Sequence, residues 1–119
     1  MLFTPASIMP TRDLVPFKRA VMGGARILLV GNILVPHLDK KRAAASVSPT
    51  VMKELLREKL LYPGVVVAGP IDGLEVGTGA TQGDAALAAL RAGADMLFWR
   101  QPGIHVMKAA ETIVQAVEN

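Results

Sequence analysis

GVVVAGPIDGLEVGTGATQGDAALAALRAGADMLFW, residues 64–99, decides the architecture. Gly64 opens the apolar run Val65-Val66-Val67, a glycine-rich stretch follows, and residues 84–92 form an alanine-rich helical segment closed by Gly93. Met96, Leu97, Phe98 and Trp99 then make a second short apolar run. Strand, helix and strand in this order demand parallel pairing through a right-handed crossover.

Upstream, the unit repeats. Residues 25–30 contain Ile27 and Val30 in a nearly continuous apolar run, the pattern of a parallel strand covered on both faces. Ahead of it, Asp13 is a candidate cap for a helix with the apolar stripe Leu14, Val15, Phe17, Val21 and Met22, and Gly23-Gly24 stop that helix. Behind it, Ser48-Pro49 supplies a favoured N-cap and N1 pair for an amphipathic helix. There Val51, Met52, Leu55, Leu56 and Leu60 take one side, and Lys53, Glu54, Arg57 and Glu58 the other. Downstream, a last helix begins near Gly103 and carries Val106, Met107, Ala110, Ile113, Val114 and Val117. The expected fold is α/β: a parallel sheet of three strands, at 25–30, 64–67 and 95–99, flanked by four helices. Residues 1–12, with their two prolines in the first ten, read as an extended or flexible arm, and 13–119 as a single domain.

Composition bounds the function classes. A chain of 119 residues holds one core, and 51% hydrophobic against 19% charged residues places it among folding sequences. The formal charge of +3 is spread out apart from Lys40, Lys41 and Arg42, a cluster without aromatic partners that reads as a solvated loop and not as a nucleic-acid footprint. With no cysteine there are no disulfides, thiolate metal sites or cysteine nucleophiles. No apolar run approaches the ~20 residues of a spanning helix, and the first ten residues lack a basic start, so the expectation is a cytoplasmic protein with no membrane partner.

Four blocks carry a family resemblance: DLVPFKRAVMGGARILLVGNILVPHLD (13–39), RAAASVSPTVMKELLREKLLYPGVVV (42–67), DGLEVG (72–77) and GDAALAALRAGADMLFW (83–99). Together and in this order they resemble the last third of the catalytic barrel of family 3 glycoside hydrolases, the bacterial β-N-acetylhexosaminidases in particular. The resemblance implies a partial (β/α)₈ barrel, since the whole needs about 250 residues. It also implies that the family's upstream Lys-His and Gly-His-Gly sugar-binding segments and its His-Asp acid/base are absent from this sequence. The family nucleophile is an aspartate directly after the strand matching Val65-Val66-Val67, in a motif Asp-Asp-Leu-Glu-Met. Here Ala68-Gly69-Pro70-Ile71 intervenes before Asp72-Gly73-Leu74-Glu75-Val76. If Asp72 is the equivalent, it lies some three residues further along, up to ~10 Å in an extended chain, against a catalytic tolerance of about 1 Å. At the preceding strand end the family shows Ala-His, and this chain has Gly31-Asn32.

The candidate catalytic residues are therefore Asp72 and Glu75, either the two carboxylates a glycosidase uses or a turn with a solvated Glu75. Candidate sugar-binding residues are Asn32, at a strand C-terminal end where α/β folds place ligand groups, and Trp99, which can stack on a sugar or pack in the core or an interface. GLEVGTGATQGD (73–84) precedes a helix and reads as an anion-binding loop or a flexible former active-site loop, without the Gly-Lys-Ser/Thr of a nucleotide loop. His37, Asp39 and His105 are too scattered for a metal site, and neither metal nor cofactor is expected. Two functions stay open: a family 3-like fragment without independent glycosidase activity, or a small non-catalytic binding or assembly module. A three-stranded fragment leaves open edges and faces, so a homo-oligomer is expected, with Phe98, Trp99, Met107, Val114 and Val117 at its contact.

Overall fold

The computed structural model describes residues 5, 7–73, 81–101 and 103–119. Strands β1 (Ile27–Val30), β2 (Val65–Ala68) and β3 (Met96–Leu97) form one sheet in the order β1-β2-β3, parallel throughout. The four helices are α1 (Val15–Met22), a π-type helix (Thr50–Lys59), α2 (Gln82–Ala92) and α3 (Ile104–Glu118). Met9–Thr11 adds a 3₁₀ turn with Met9 buried.

Sheet register sorts the strand side chains into two faces. Leu28 pairs with Val66, and Val30 with Ala68 and Leu97. This face is the core side: Val66 and Ala68 are 0% exposed, and they cluster with Met52, Leu56, Ile71, Ala86 and Ala89. On the other face Ile27 pairs with Val65, and Leu29 with Val67 and Met96. Here Ile27, Leu29 and Met96 are 61%, 60% and 55% exposed. The expectation that the first strand is covered on both faces is thus corrected: among the described residues the core cluster packs on the side of Val66 and Ala68, and Ile27 and Leu29 on the other side stay in water.

Local chemistry explains the helix ends. Helix α2 starts two residues earlier than expected because Thr81 caps it: the Asp84 N–H donates to Thr81 Oγ1 at 3.1 Å, and the Thr81 N–H donates to Asp84 Oδ2 at 3.0 Å. Ser48 Oγ accepts the Val51 N–H at 3.3 Å, as a cap should. Asp13 does not cap α1. Its carboxylate takes the Arg12 Nε at 2.8 Å, and the helix begins at Val15 without a side-chain cap. Gly24, at φ +87°, makes the left-handed step that ends α1.

The π-type helix buries Val51, Met52, Leu55 and Leu56, as its amphipathic pattern requires. Arg57 departs from its expected solvated role: its Nη1 donates to the carbonyls of Tyr62 (2.8 Å) and Gly64 (2.6 Å), and its Nη2 to Asp95 Oδ2 (2.7 Å). The same Asp95 oxygen accepts the Val66 N–H at 2.9 Å, so one ion pair ties the entrances of β2 and β3 together. Helix α3 rests on α2, with Ala109 buried and Gly83 facing Thr112 at the crossing. The last helix keeps a second apolar stripe in solvent, Ile104, Met107, Val114 and Val117. No helix among the described residues is long and apolar enough to cross a membrane.

Candidate functional site

The C-terminal ends of the strands bring three loops together. After β1 comes Gly31-Asn32, after β2 the bend Gly69-Pro70 and the 3₁₀ turn Ile71–Gly73, and after β3 the segment Phe98-Trp99-Arg100-Gln101. Gly69, at φ +146°, lies so close to β3 that an added Cβ would stand 2.7 Å from the Phe98 carbonyl oxygen. The Ile71 N–H donates to that same oxygen at 2.9 Å. The turn is thereby pulled sideways, and Asp72 ends beside the exit of β3.

Asp72 is held from several directions. Its Oδ1 accepts the Arg100 N–H at 3.2 Å and its Oδ2 the Gln101 N–H at 3.3 Å, while the Arg100 Nε stands 3.6 Å from Oδ1. Partial burial pushes the carboxyl upward, but the Arg100 and Gln101 N–H donors and the Arg100 charge outweigh it, so the group lies below its ordinary value of 3.8. Asp72 is consequently an ionised acceptor at neutral pH. It cannot serve there as a proton donor.

Asn32 sits within the same loop cluster. Its Nδ2 donates to the Pro70 carbonyl at 2.8 Å, and its Oδ1 accepts the Ser46 hydroxyl at 2.6 Å. Gly73 packs between the partners, since a Cβ there would be 3.1 Å from Asn32 Nδ2 and 3.7 Å from Arg100 Nη2. The structure therefore gathers Asn32, Asp72 and Arg100 around Gly73. Trp99 is half-buried against the core, and its Nε1 donates to Gln82 Oε1 at 2.9 Å. Glu75 and most of the glycine-rich stretch lie outside the described residues.

Two other candidates fall apart in space. His37 is exposed, whereas Asp39, two residues on, is buried and accepts the Ser48 hydroxyl at 2.6 Å and the Lys41 N–H at 2.8 Å. Among the described residues no three His, Asp or Glu side chains converge as a metal site would need. Sequence reading missed Ser46, Gln82 and the Asp39–Ser48 pair. None carries a motif; a buried serine is visible only once the loops are folded.

Comparison with known proteins places this geometry. The family model described as "Glycosyl hydrolase family 3 N terminal domain" matches residues 4–119. A β-hexosaminidase of Methylococcus capsulatus is 30% identical over 111 residues, 91% of this chain and 30% of that protein. Among solved structures, a glycoside hydrolase family 3 β-N-acetylglucosaminidase from a Paenibacillus species is similar, with TM-score 0.90 and 26% identity over 98% of this chain and 22% of that one. A fungal multi-domain β-N-acetylglucosaminidase of the same family superimposes with TM-score 0.88 and 25% identity, over 99% of this chain and 14% of that one. The chain thus spans less than a third of each of these relatives.

Proposed function

The chain belongs to glycosyl hydrolase family 3, and from that membership we propose that it is a segment of a sugar-processing barrel that offers part of a saccharide-contacting rim and does not hydrolyse glycosidic bonds alone. One observation carries the reading. Glycosidases of either stereochemical outcome need two carboxyl groups facing the bond, about 5–5.5 Å apart for retention and about 6.5–9.5 Å for inversion. On the described loops after β2 and β3 the single carboxylate is Asp72, and both its oxygens accept backbone N–H groups. Asp39, after β1, spends its oxygens on Ser48 and Lys41. An ionised, anchored Asp72 beside Arg100 suits hydrogen bonding to sugar hydroxyls better than proton transfer.

The names of the relatives make an N-acetylated aminosugar the substrate class to test. The chain incubated at neutral pH with 4-nitrophenyl N-acetyl-β-glucosaminide is expected to release no more nitrophenol than buffer. Release that vanishes in Asp72→Ala or Glu75→Ala would overturn this reading. The reading also places the chain in the cytoplasm, a compartment that suits a cysteine-free composition and that cell fractionation tests.

A further inference from the structure

The open side of the sheet is a continuous apolar surface with no function in the site described above. We propose that it is an interface on which a second copy of this chain packs, sheet face to sheet face, to give a symmetric dimer. All-parallel sheets are found almost only with both faces covered. In this chain the pairs Ile27–Val65 and Leu29–Val67–Met96 share one face, and every one of these side chains is apolar. Ile27, Leu29 and Met96 each keep more than half of their surface in water.

Area supports the same conclusion. A compact monomer of 12.6 kDa exposes about 6,200 Å² by the usual mass scaling, whereas this chain exposes 7500 Å². The excess of about 1,300 Å² exceeds the roughly 800 Å² per partner that a stable complex buries.

Charge and symmetry favour a second copy as occupant. The formal charge of +3 would oppose self-association through a polar face, but the five face residues carry no charge to bring together. An uncharged face is self-complementary about a two-fold axis, the commonest oligomer symmetry, and two twisted sheets stack about 10 Å apart with interleaved side chains. The contact expected from sequence through Phe98, Trp99 and α3 gives way on two counts. Trp99 is committed to Gln82 and the core, and the α3 stripe is flanked by Lys108, Glu111 and Glu118.

The test is mass in solution, which reads independently of any glycosidase activity. Light scattering at micromolar concentration should return twice the 12.6 kDa chain mass. Leu29→Lys and Met96→Lys should each weaken association at least about tenfold, with far-UV circular dichroism unchanged because both sites face water in the separate chain. Met96→Leu should preserve the dimer, as should Met107→Lys and Val117→Lys on α3. A wild-type chain that stays monomeric overturns the proposal, as does a dimer dissolved by the α3 variants and indifferent to those on the sheet. A monomer that forms a complex only with the remaining units of a family 3 barrel, supplied as a separate chain, would assign the face to those units and overturn it as well.

Discussion

Replacing Gly83 by alanine tests how α3 is attached. On propensity alone the change favours folding, because alanine is better than glycine in a helix by up to about 1 kcal/mol. The structure opposes it. A Cβ at Gly83 would overlap Thr112 Oγ1 and stand 3.1 Å from Thr112 Cβ and 3.4 Å from its Cγ2. Turning the Thr112 side chain away breaks the hydrogen bond from Oγ1 to the Lys108 carbonyl, at 3.0 Å, and leaves the Cβ contact in place. Helix α3 must then move from α2, and overpacking of this kind costs about 1–3 kcal/mol. The net expectation is a destabilisation of about 0.5–2 kcal/mol, or a fall in Tm of about 2–8 °C for a domain of this size.

Thr112→Ala removes the two outer atoms of the clash. In that background Gly83→Ala should cost at least about 1 kcal/mol less, a coupling that a double-mutant cycle measures. Urea unfolding followed by fluorescence is suited to it, because Trp99 is the only tryptophan and its indole donates to Gln82, the neighbour of Gly83. The close α2–α3 approach is refuted if Gly83→Ala stabilises the wild-type chain, or if the two changes add to within about 0.5 kcal/mol.

Ser48→Ala should destabilise by about 1–3 kcal/mol in urea unfolding, since it takes from the buried Asp39 the hydroxyl donor to Oδ2, leaving only the Lys41 N–H on Oδ1, and from Val51 its cap; an unchanged midpoint would deny the pair its role. Asp72 and Asp84 both lie below 3.8 in the folded chain, Asp84 through hydrogen bonds from the Thr81 backbone and hydroxyl. A carboxyl depressed on folding stabilises the fold at pH above its ordinary value and loses that contribution as pH falls through the folded pKa. Carbon-13 carboxyl titration should therefore place both midpoints under 3.8, and a midpoint above it at Asp72 would remove the Arg100 and Gln101 donors from the account.

Alternation of apolar runs with helical periods determined the fold class from the sequence alone. Val65-Val66-Val67 reads as a strand and Asp84–Ala92 as a helix because period and length are local properties. The parallel order then follows from chain connectivity. Gly23-Gly24, Ser48-Pro49 and Gly93 mark element ends for the same reason: capping is decided within one turn. Asn32 and Asp72 were legible as strand-end residues, but their partners were not. Asp72 meets Arg100 and Gln101 across 28 and 29 residues, Asn32 meets Pro70 across 38, and Arg57 meets Asp95 across 38. Hydrogen bonds over such separations leave no periodic trace in a single sequence. Which face of β1 is covered was also decided only in three dimensions. Ile27, Leu28, Leu29 and Val30 are alike in hydrophobicity, and only the packing of the core cluster on one side buries Val30 and leaves Ile27 and Leu29 in water.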